Sequence, residues 1–151
     1  MWTSIILLAM SSLLTFCIPV YADTPALVPV FERLRTESAE HQPIERLRRF
    51  FAPTVLGELG DSFTQEWVAQ FVSRVTDSSR LVERVKDTEG CLAYSKPYRA
   101  KATGHWVELS TFTYSHIDGE WLITDSMYSI SAGHHTVEGE DYCLRLGWPW
   151  P

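Results

Sequence analysis

The feature that most constrains the fold of this chain is the dipeptide Asp118-Gly119, which joins two runs rich in β-branched and aromatic residues. Both central residues of a two-residue type I′ turn need positive φ, and Asp-Gly adopts that conformation readily. The segment from Gly104 to Ser131 is therefore predicted to form a β-hairpin. In that hairpin Ile117 faces Glu120 across the turn.

Alternation along the two strands divides this hairpin into two faces. Uninterrupted pairing places Tyr114 opposite Ile123, Phe112 opposite Asp125 and Ser110 opposite Met127. One face is expected to be buried, with two carboxylates among aromatic side chains, and a slip of one residue would move both carboxylates to the other face. The residues of this face are Trp106, Glu108, Phe112, Tyr114, Trp121, Ile123, Asp125 and Met127.

The sequence before the hairpin is typical of helices, because apolar residues recur at helical spacing in three stretches. Pro29 is expected to set the start of the first helix, and the second is expected to end before Pro53. Asp61-Ser62 is the expected cap of the third helix, with Gln65 completing a capping box. The apolar positions are Leu27, Val30, Phe31 and Leu34, then Ile44, Leu47, Phe50 and Phe51, then Trp67, Val68, Phe71, Val72 and Val75.

Residues 79–86 fit a helix end or a strand equally well and are assigned to a strand. A further strand pattern covers residues 91–98, and a short strand-like stretch, Tyr142 to Leu146, follows the hairpin. Helices followed by consecutive strands indicate helices on one side of an antiparallel sheet. The sequence therefore predicts an α+β fold, with N-terminal helices packed on a curved antiparallel sheet of four to five strands.

Residues 1–22 have the pattern of a secretory signal peptide, with an apolar run from Ile5 to Pro19 and small residues before Asp23. The run is short for a membrane span of about 20 residues, although the lack of Lys and Arg leaves an uncleaved anchor as an alternative. Residues 23–151 are then a single α+β domain, periplasmic or secreted. It retains Cys91 and Cys143, for which an oxidising compartment favours a disulfide.

Acidic residues are concentrated in the C-terminal third. From Gly104 to Pro151, Arg145 is the only Lys or Arg, against seven acidic residues, and the whole chain has a net charge of −6. Nucleic acids and anionic membranes bind clustered positive charge, so this distribution argues against both as partners. A basic protein partner or a cation suits it better, and no stable membrane association is expected after signal cleavage.

The segment Asp118-Gly119-Glu120-Trp121-Leu122-Ile123 is similar to the last hairpin of many members of the ketosteroid isomerase and nuclear transport factor superfamily. Helices followed by a curved sheet also resemble the α+β cone of that superfamily. The resemblance implies a cone in which an acid shuttles a proton and Tyr or acid groups stabilise an oxyanion. This chain departs from the pattern between Phe51 and Asp61, where there is little room for the early strand pair of the family.

The candidate catalytic residues are Asp125 and Glu108, with Tyr114 nearby. Burial among aromatic rings raises the pKa of a carboxyl group and suits it to general acid or base catalysis. A hydrogen-bonded structural acid or an exposed acid at a sheet edge is the alternative interpretation. In the same hypothesis an apolar pocket without a cofactor is lined by Trp106, Phe112, Tyr114, Trp121 and Met127.

The segment from Ala132 to Asp141 contains residue types found in metal sites. Its adjacent histidines point to opposite sides of an extended chain, and the spacing matches no zinc or calcium pattern, so no metal is predicted. As an acidic protruding loop, it is instead predicted to contact a partner with a basic surface. The predicted contact residues are His134, His135, Glu138, Glu140 and Asp141.

Two function classes follow. The first is an exported binding protein, such as an inhibitor or immunity protein that blocks a partner enzyme. The second is a small-ligand protein or an isomerase-like or hydrolase-like cone enzyme with Asp125 as its acid or base. No assembled reaction centre is visible in the sequence, which favours the first class. Exposed sheet edges and the tail containing Trp148 and Trp150 also allow a homodimer.

Overall fold

A computed structural model describes residues 26–77, 79–98, 106–132 and 143, and within them four α-helices precede a four-stranded sheet. All neighbouring strands are antiparallel, in the order β1-β2-β3-β4. The predicted α+β architecture is confirmed. The predicted signal peptide and the strand-like stretch at 142–146 lie outside the described residues, apart from Cys143. The elements are α1 (Val28–Ala39), α2 (Ile44–Arg48), α3 (Pro53–Leu59), a 3-10 turn (Gly60–Ser62), α4 (Gln65–Ser73), β1 (Arg80–Lys86), β2 (Glu89–Tyr98), β3 (Trp106–Ile117) and β4 (Glu120–Ala132).

Helix α1 obtains its N-terminal cap from the sheet. Its N-cap residue, Leu27, has no side chain that can accept a hydrogen bond. The carboxylate of Glu83 in β1 accepts instead from the backbone amides of Ala26 at 2.6 Å and Val28 at 3.1 Å. Because the first amides of a helix lack partners within the helix, Glu83 satisfies groups that would otherwise be unpaired.

Two helix boundaries differ from prediction. Helix α2 ends at Arg48, because the segment Phe50–Ala52 leaves the helix and forms hydrogen bonds with the edge of β4. The Ala52 amide donates to the Ile123 carbonyl at 2.8 Å, and the Ile123 amide donates to the Phe50 carbonyl at 2.9 Å. Helix α3 then forms with Pro53 in its first turn, and the sequence reasoning missed it.

The cap of α4 is Thr64, and the predicted Asp61-Ser62 cap is wrong. The Thr64 hydroxyl accepts from the Trp67 amide at 3.1 Å. Asp61 and Ser62 belong to the 3-10 turn that follows α3. Since a helix forms immediately before them, they close one helix rather than begin the next.

The hydrophobic core lies between the helices and one face of the sheet, here called the helix face. Phe112 is central to it, with its ring 4.6 Å from that of Phe31 in α1 and 5.0 Å from that of Phe71 in α4. A Cβ added to Gly90 would lie 2.6 Å from a methyl of Leu27, so Gly90 allows the start of α1 to approach β2 closely. The largest fully buried side chains are Tyr114, Phe31, Phe50, Phe71, Phe112, Leu27, Leu34, Leu47, Leu92, Ile123 and Val68.

The central hairpin forms as predicted at its turn. Asp118 has φ 50° and Gly119 has φ 88°, as a type I′ turn requires. Ile117 pairs with Glu120, and pairing continues in the predicted register as far as Tyr114 with Ile123.

Beyond Tyr114 the predicted register is wrong, because β4 contains a bulge. Thr113 pairs with Asp125, which leaves Thr124 as an extra residue, and the Thr124 hydroxyl donates to the Thr113 carbonyl at 3.2 Å. One inserted residue reverses the faces of everything after it. Phe112 therefore pairs with Ser126, Ser110 with Tyr128, and Glu108 with Ile130.

The opposite face of the sheet has a smaller cluster of buried residues. It contains Cys91, Ala93, Val107 and Leu109, together with Cys143. The predicted Cys91–Cys143 disulfide is present, with 6.0 Å between the two Cα atoms. It attaches residue 143 to the face that the helices do not cover.

Candidate binding surface

The helices cover only one end of the helix face. Strands β3 and β4 have 12 and 13 residues, or about 40 Å each, whereas α4 with nine residues is about 13 Å long. Burial changes accordingly along β3: Phe112 is buried, whereas Trp106 is 38% exposed. We call the part of the helix face beyond the Leu92–Phe112–Ser126 row the open end; its described side chains include Lys96, Tyr98, Trp106, Glu108, Tyr128 and Ile130.

Cross-strand pairing brings the apolar residues of the open end together. Tyr98 pairs with Trp106, and Glu108 pairs with Ile130. Directly paired residues share a face, so these side chains form one surface with Tyr128. The four apolar or aromatic members, Tyr98, Trp106, Tyr128 and Ile130, are all between 38% and 43% exposed.

The polar groups of the open end are paired with one another. Glu108 forms an ion pair with Lys96 at 3.2 Å, and both side chains are mostly buried. Desolvation, followed by a hydrogen bond to Glu108, raises the pKa of Tyr128, and the Arg74 guanidinium lies 5.4 Å from the Tyr128 ring centroid. Glu108 is thus paired with the Lys96 ammonium group, an arrangement that fixes its carboxylate in place.

The three predicted catalytic residues are not brought together. Tyr114 is buried under the helices, and Glu108 lies six residues from it along β3, about 20 Å away. Asp125 is exposed and accepts from the Ser126 amide at 2.7 Å. The expectation that Asp125 shares a buried face with Glu108 is wrong, since the bulge pairs Asp125 with Thr113 instead of Phe112 and leaves it exposed on β4, the edge strand of the sheet.

The predicted pocket residues are also divided. Phe112 and Tyr114 belong to the packed core, and Trp121 packs against that core near the turn. Trp106 lies at the open end, whereas Met127 pairs with Thr111 on the opposite face and is 41% exposed. These five residues therefore do not enclose one cavity.

Two tyrosines in the core have unusual hydroxyl groups. The hydroxyls of Tyr94 and Tyr114 are buried and have no hydrogen-bond partner within residues 26–77, 79–98 and 106–132. Desolvation is the main cause that raises the pKa of each, and the neighbouring Tyr94 and Glu83 add to it for Tyr114. Both side chains remain protonated far into the alkaline range.

An open cleft of about 170 Å³ lies between α3, α4 and β4. Aromatic rings from α4 and from the segment before α3 form its floor, and two acidic residues, Glu58 and Asp125, lie on its walls. The sequence reasoning missed this cleft, because α3 and the bulge at Thr124 were not predicted. It is lined by Phe51, Val55, Glu58, Leu59, Trp67, Phe71, Ile123, Thr124, Asp125 and Ser126.

The predicted partner loop, with His134, His135, Glu138, Glu140 and Asp141, lies outside the described residues. In the part that is described, no three His, Cys, Asp or Glu side chains are grouped so as to hold a metal ion. No helix among those residues has the length and apolar character to cross a membrane.

Comparison with known proteins adds no relative. No family model matches the chain, and no curated protein matches it either. The resemblance to the ketosteroid isomerase and nuclear transport factor superfamily therefore stays a prediction.

Proposed function

We propose that this chain is an exported protein that binds a basic protein partner through the open end of its sheet, in the manner of an inhibitor or immunity protein. The observation that carries the proposal is the contiguous exposed surface of Tyr98, Trp106, Tyr128 and Ile130. Aromatic residues are enriched at the centres of protein interfaces, and exposed apolar patches mark such sites. The Cys91–Cys143 disulfide supports export, since disulfides persist in oxidising compartments.

Charge supports a basic partner. The C-terminal third carries the net charge of −6, and β4 leads from the open end directly into the segment with Glu138, Glu140 and Asp141. Within the open end the charge of Glu108 is offset by that of Lys96. The apolar surface therefore has no net charge from this pair, and the acidic segment follows it in the sequence. Acidic groups around an apolar contact speed association with a basic protein and are sensitive to salt.

The geometry favours binding over catalysis. Asp125, Glu108 and Tyr114 are separated in the fold, and a reaction centre requires several groups that converge on one substrate atom. The alternative of a small-ligand enzyme with Asp125 as acid or base has support only in the cleft, on whose wall Asp125 lies. It predicts that Asp125→Asn abolishes turnover of the ligand while the fold is retained.

The test compares two adjacent residues of β4 that lie on opposite faces and are equally exposed. Tyr128 is 43% exposed at the open end, and Met127 is 41% exposed on the other face. The disulfide-bonded protein captures its partner from secreted and periplasmic proteins at low salt, and the purified partner is then titrated against Trp106→Ser, Tyr128→Ser and Met127→Ser. We expect the first two to weaken the Kd at least about 30-fold, as loss of an interface anchor of 2 kcal/mol or more does, and Met127→Ser to leave it unchanged.

A second measurement tests the charge argument. Replacement of Glu138, Glu140 and Asp141 by Lys is expected to reduce the association rate, with the largest reduction at low salt. An association rate that is independent of salt and of these replacements contradicts a basic partner. Equal losses in Tyr128→Ser and Met127→Ser contradict the open end as the contact surface.

A further inference from the structure

We propose that the cleft between α3, α4 and β4 is a binding site for an organic cation, with a guanidinium or ammonium head. The inference deepens the proposed function, because such a cation is either the side chain of a basic partner or a free small molecule. The site itself is argued from the walls of the cleft and requires no partner.

The floor of the cleft is aromatic. The rings of Trp67 and Phe71 are stacked with centroids 5.0 Å apart, and the ring of Phe51 meets that of Trp67 at 5.8 Å and an interplanar angle of 66°. Phe51 and Phe71 are each only 2% exposed, so the partly exposed ring of Trp67 is the one that a ligand can reach, and Trp binds cations most strongly. The same cluster already contacts guanidinium groups of the chain: Arg48 lies 5.4 Å from the ring of Phe63, which packs on Phe51.

The walls supply negative charge from two different elements. Glu58 belongs to α3 and Asp125 to β4, and both are exposed. Neither takes part in an ion pair within the described ranges, in contrast to Glu37, which contacts Arg46 and Arg49, and to Glu108. Arg74 opposes this charge, since its guanidinium lies 5.9 Å from the ring of Phe71. Two carboxylates against one cation leave the cleft with a net attraction for positive charge.

The size of the cleft restricts the ligand. At about 170 Å³ it is smaller than the pockets of about 300 Å³ or more that hold drug-sized molecules. It suits one cationic head or one Arg or Lys side chain. The bulge at Thr124 forms part of its wall, and an inserted residue at such a place bends the strand and redirects its side chains.

The cleft also adjoins the open end. Ser126 lines the cleft, and Tyr128, two residues further along the same face of β4, belongs to the open end. Successive residues on one face of a strand are about 7 Å apart. A partner seated on the open end can therefore place a basic side chain in the cleft.

The first experiment needs no partner. The uniformly ¹⁵N-labelled, disulfide-bonded protein is titrated with arginine amide and with citrulline amide, which has a similar shape without the guanidinium charge. We expect arginine amide to shift the amide resonances of Thr124 and Ser126 saturably, and citrulline amide to bind at least tenfold more weakly. Glu58→Gln/Asp125→Asn is expected to weaken arginine amide about tenfold, whereas Arg74→Gln strengthens it.

A matched control removes the same charge elsewhere. Glu66→Gln/Glu120→Gln also removes one acid from a helix and one from β4, both exposed and outside the cleft walls. It is expected to retain the affinity for arginine amide. Absence of saturable shifts, equal binding of citrulline amide, or equal losses in the two double variants overturns the inference.

The source of the cation is then decided with the captured partner. A Kd for the partner that weakens in Glu58→Gln/Asp125→Asn shows that the partner supplies the cation. An unchanged Kd, with arginine amide still bound by the wild-type protein, assigns the cleft to a free small cation. The proposed function is judged separately, because it depends on the Trp106 and Tyr128 variants and not on the cleft.

Discussion

The two ends of the helix face are built from the same strands and have opposite environments. At the covered end, Phe112 and Tyr114 are buried beneath α1 and α4, whereas Trp106 and Tyr128 at the open end are more than a third exposed. Aromatic residues alternate through both ends, so the strands themselves do not determine the difference. The short helices determine it, because they end before the sheet does. Stability is therefore expected to depend on the covered end and binding on the open end.

The largest effect is expected from Phe112→Ala. Phe112 contacts Phe31, Phe71 and Tyr94, and loss of a fully buried ring costs about 3 to 5 kcal/mol. Denaturant unfolding followed by circular dichroism measures it. A cost below about 1 kcal/mol would mean that the covered end does not hold the fold together, and the comparison between the two ends would fail.

The next largest loss of stability is expected from Glu83→Ala, which removes the hydrogen bonds between the start of α1 and β1. It removes the acceptor for the amides of Ala26, Leu27 and Val28, and we expect a loss of about 2 kcal/mol, as hydrogen bonds to a charged group are worth. Glu89→Ala, an exposed acid at the start of β2, is the control and should change stability little. Equal effects in the two variants would show that the cap contributes nothing.

A smaller effect with the opposite sign is expected from Tyr114→Phe. It removes a buried hydroxyl without a described partner, so the free energy of unfolding at neutral pH should rise by about 1 kcal/mol. The raised pKa of Tyr114 also sets a pH dependence: stability is complete below the unfolded-state pKa near 10 and falls above it, because only the unfolded chain releases the proton. The decline above pH 10 should be shallower in Tyr114→Phe by up to about 1.4 kcal/mol per pH unit. An identical decline in both proteins would contradict the burial of this hydroxyl.

The smallest effect on folding is expected from Trp106→Ser at the open end. Its side chain lacks a helix above it, and the free energy of unfolding should change by less than about 0.5 kcal/mol, although the proposed function predicts weaker partner binding. Thermal unfolding of this variant beside Phe112→Ala gives the sharpest contrast between the two ends. A large loss of stability in Trp106→Ser would assign the open end to the core.

Much of the fold follows from local signals in the sequence. The Asp118-Gly119 turn requires positive φ at two positions, and this requirement fixed the register as far as Tyr114 and Ile123. The disulfide was predictable because Cys91 and Cys143 are the two cysteines that lie outside the apolar N-terminal segment. The bulge was not predictable, because Thr124 continues a run of β-forming residues. The alternation of apolar and polar side chains therefore gives no sign of an inserted residue.

The candidate site was less accessible to sequence reasoning, because it depends on where elements end. Trp106 and Glu108 were assigned to the correct face, but their exposure depends on the length of the helices above them. Tyr128 and Ile130 were missed because uninterrupted alternation places them on the opposite face, whereas the bulge brings them to the helix face. The Pro53 signal, typical of a first helical turn, would have indicated α3 and with it one wall of the cleft.

The cap that Glu83 provides for α1 has a consequence for the order in which the chain can fold. The backbone amides that it accepts from lie 55 to 57 residues earlier in the sequence. During synthesis from the N-terminus, α1 therefore leaves the ribosome well before the residue that completes its first turn. Until β1 has emerged, the first amides of α1 lack this acceptor, so completion of the helix is coupled to formation of the sheet.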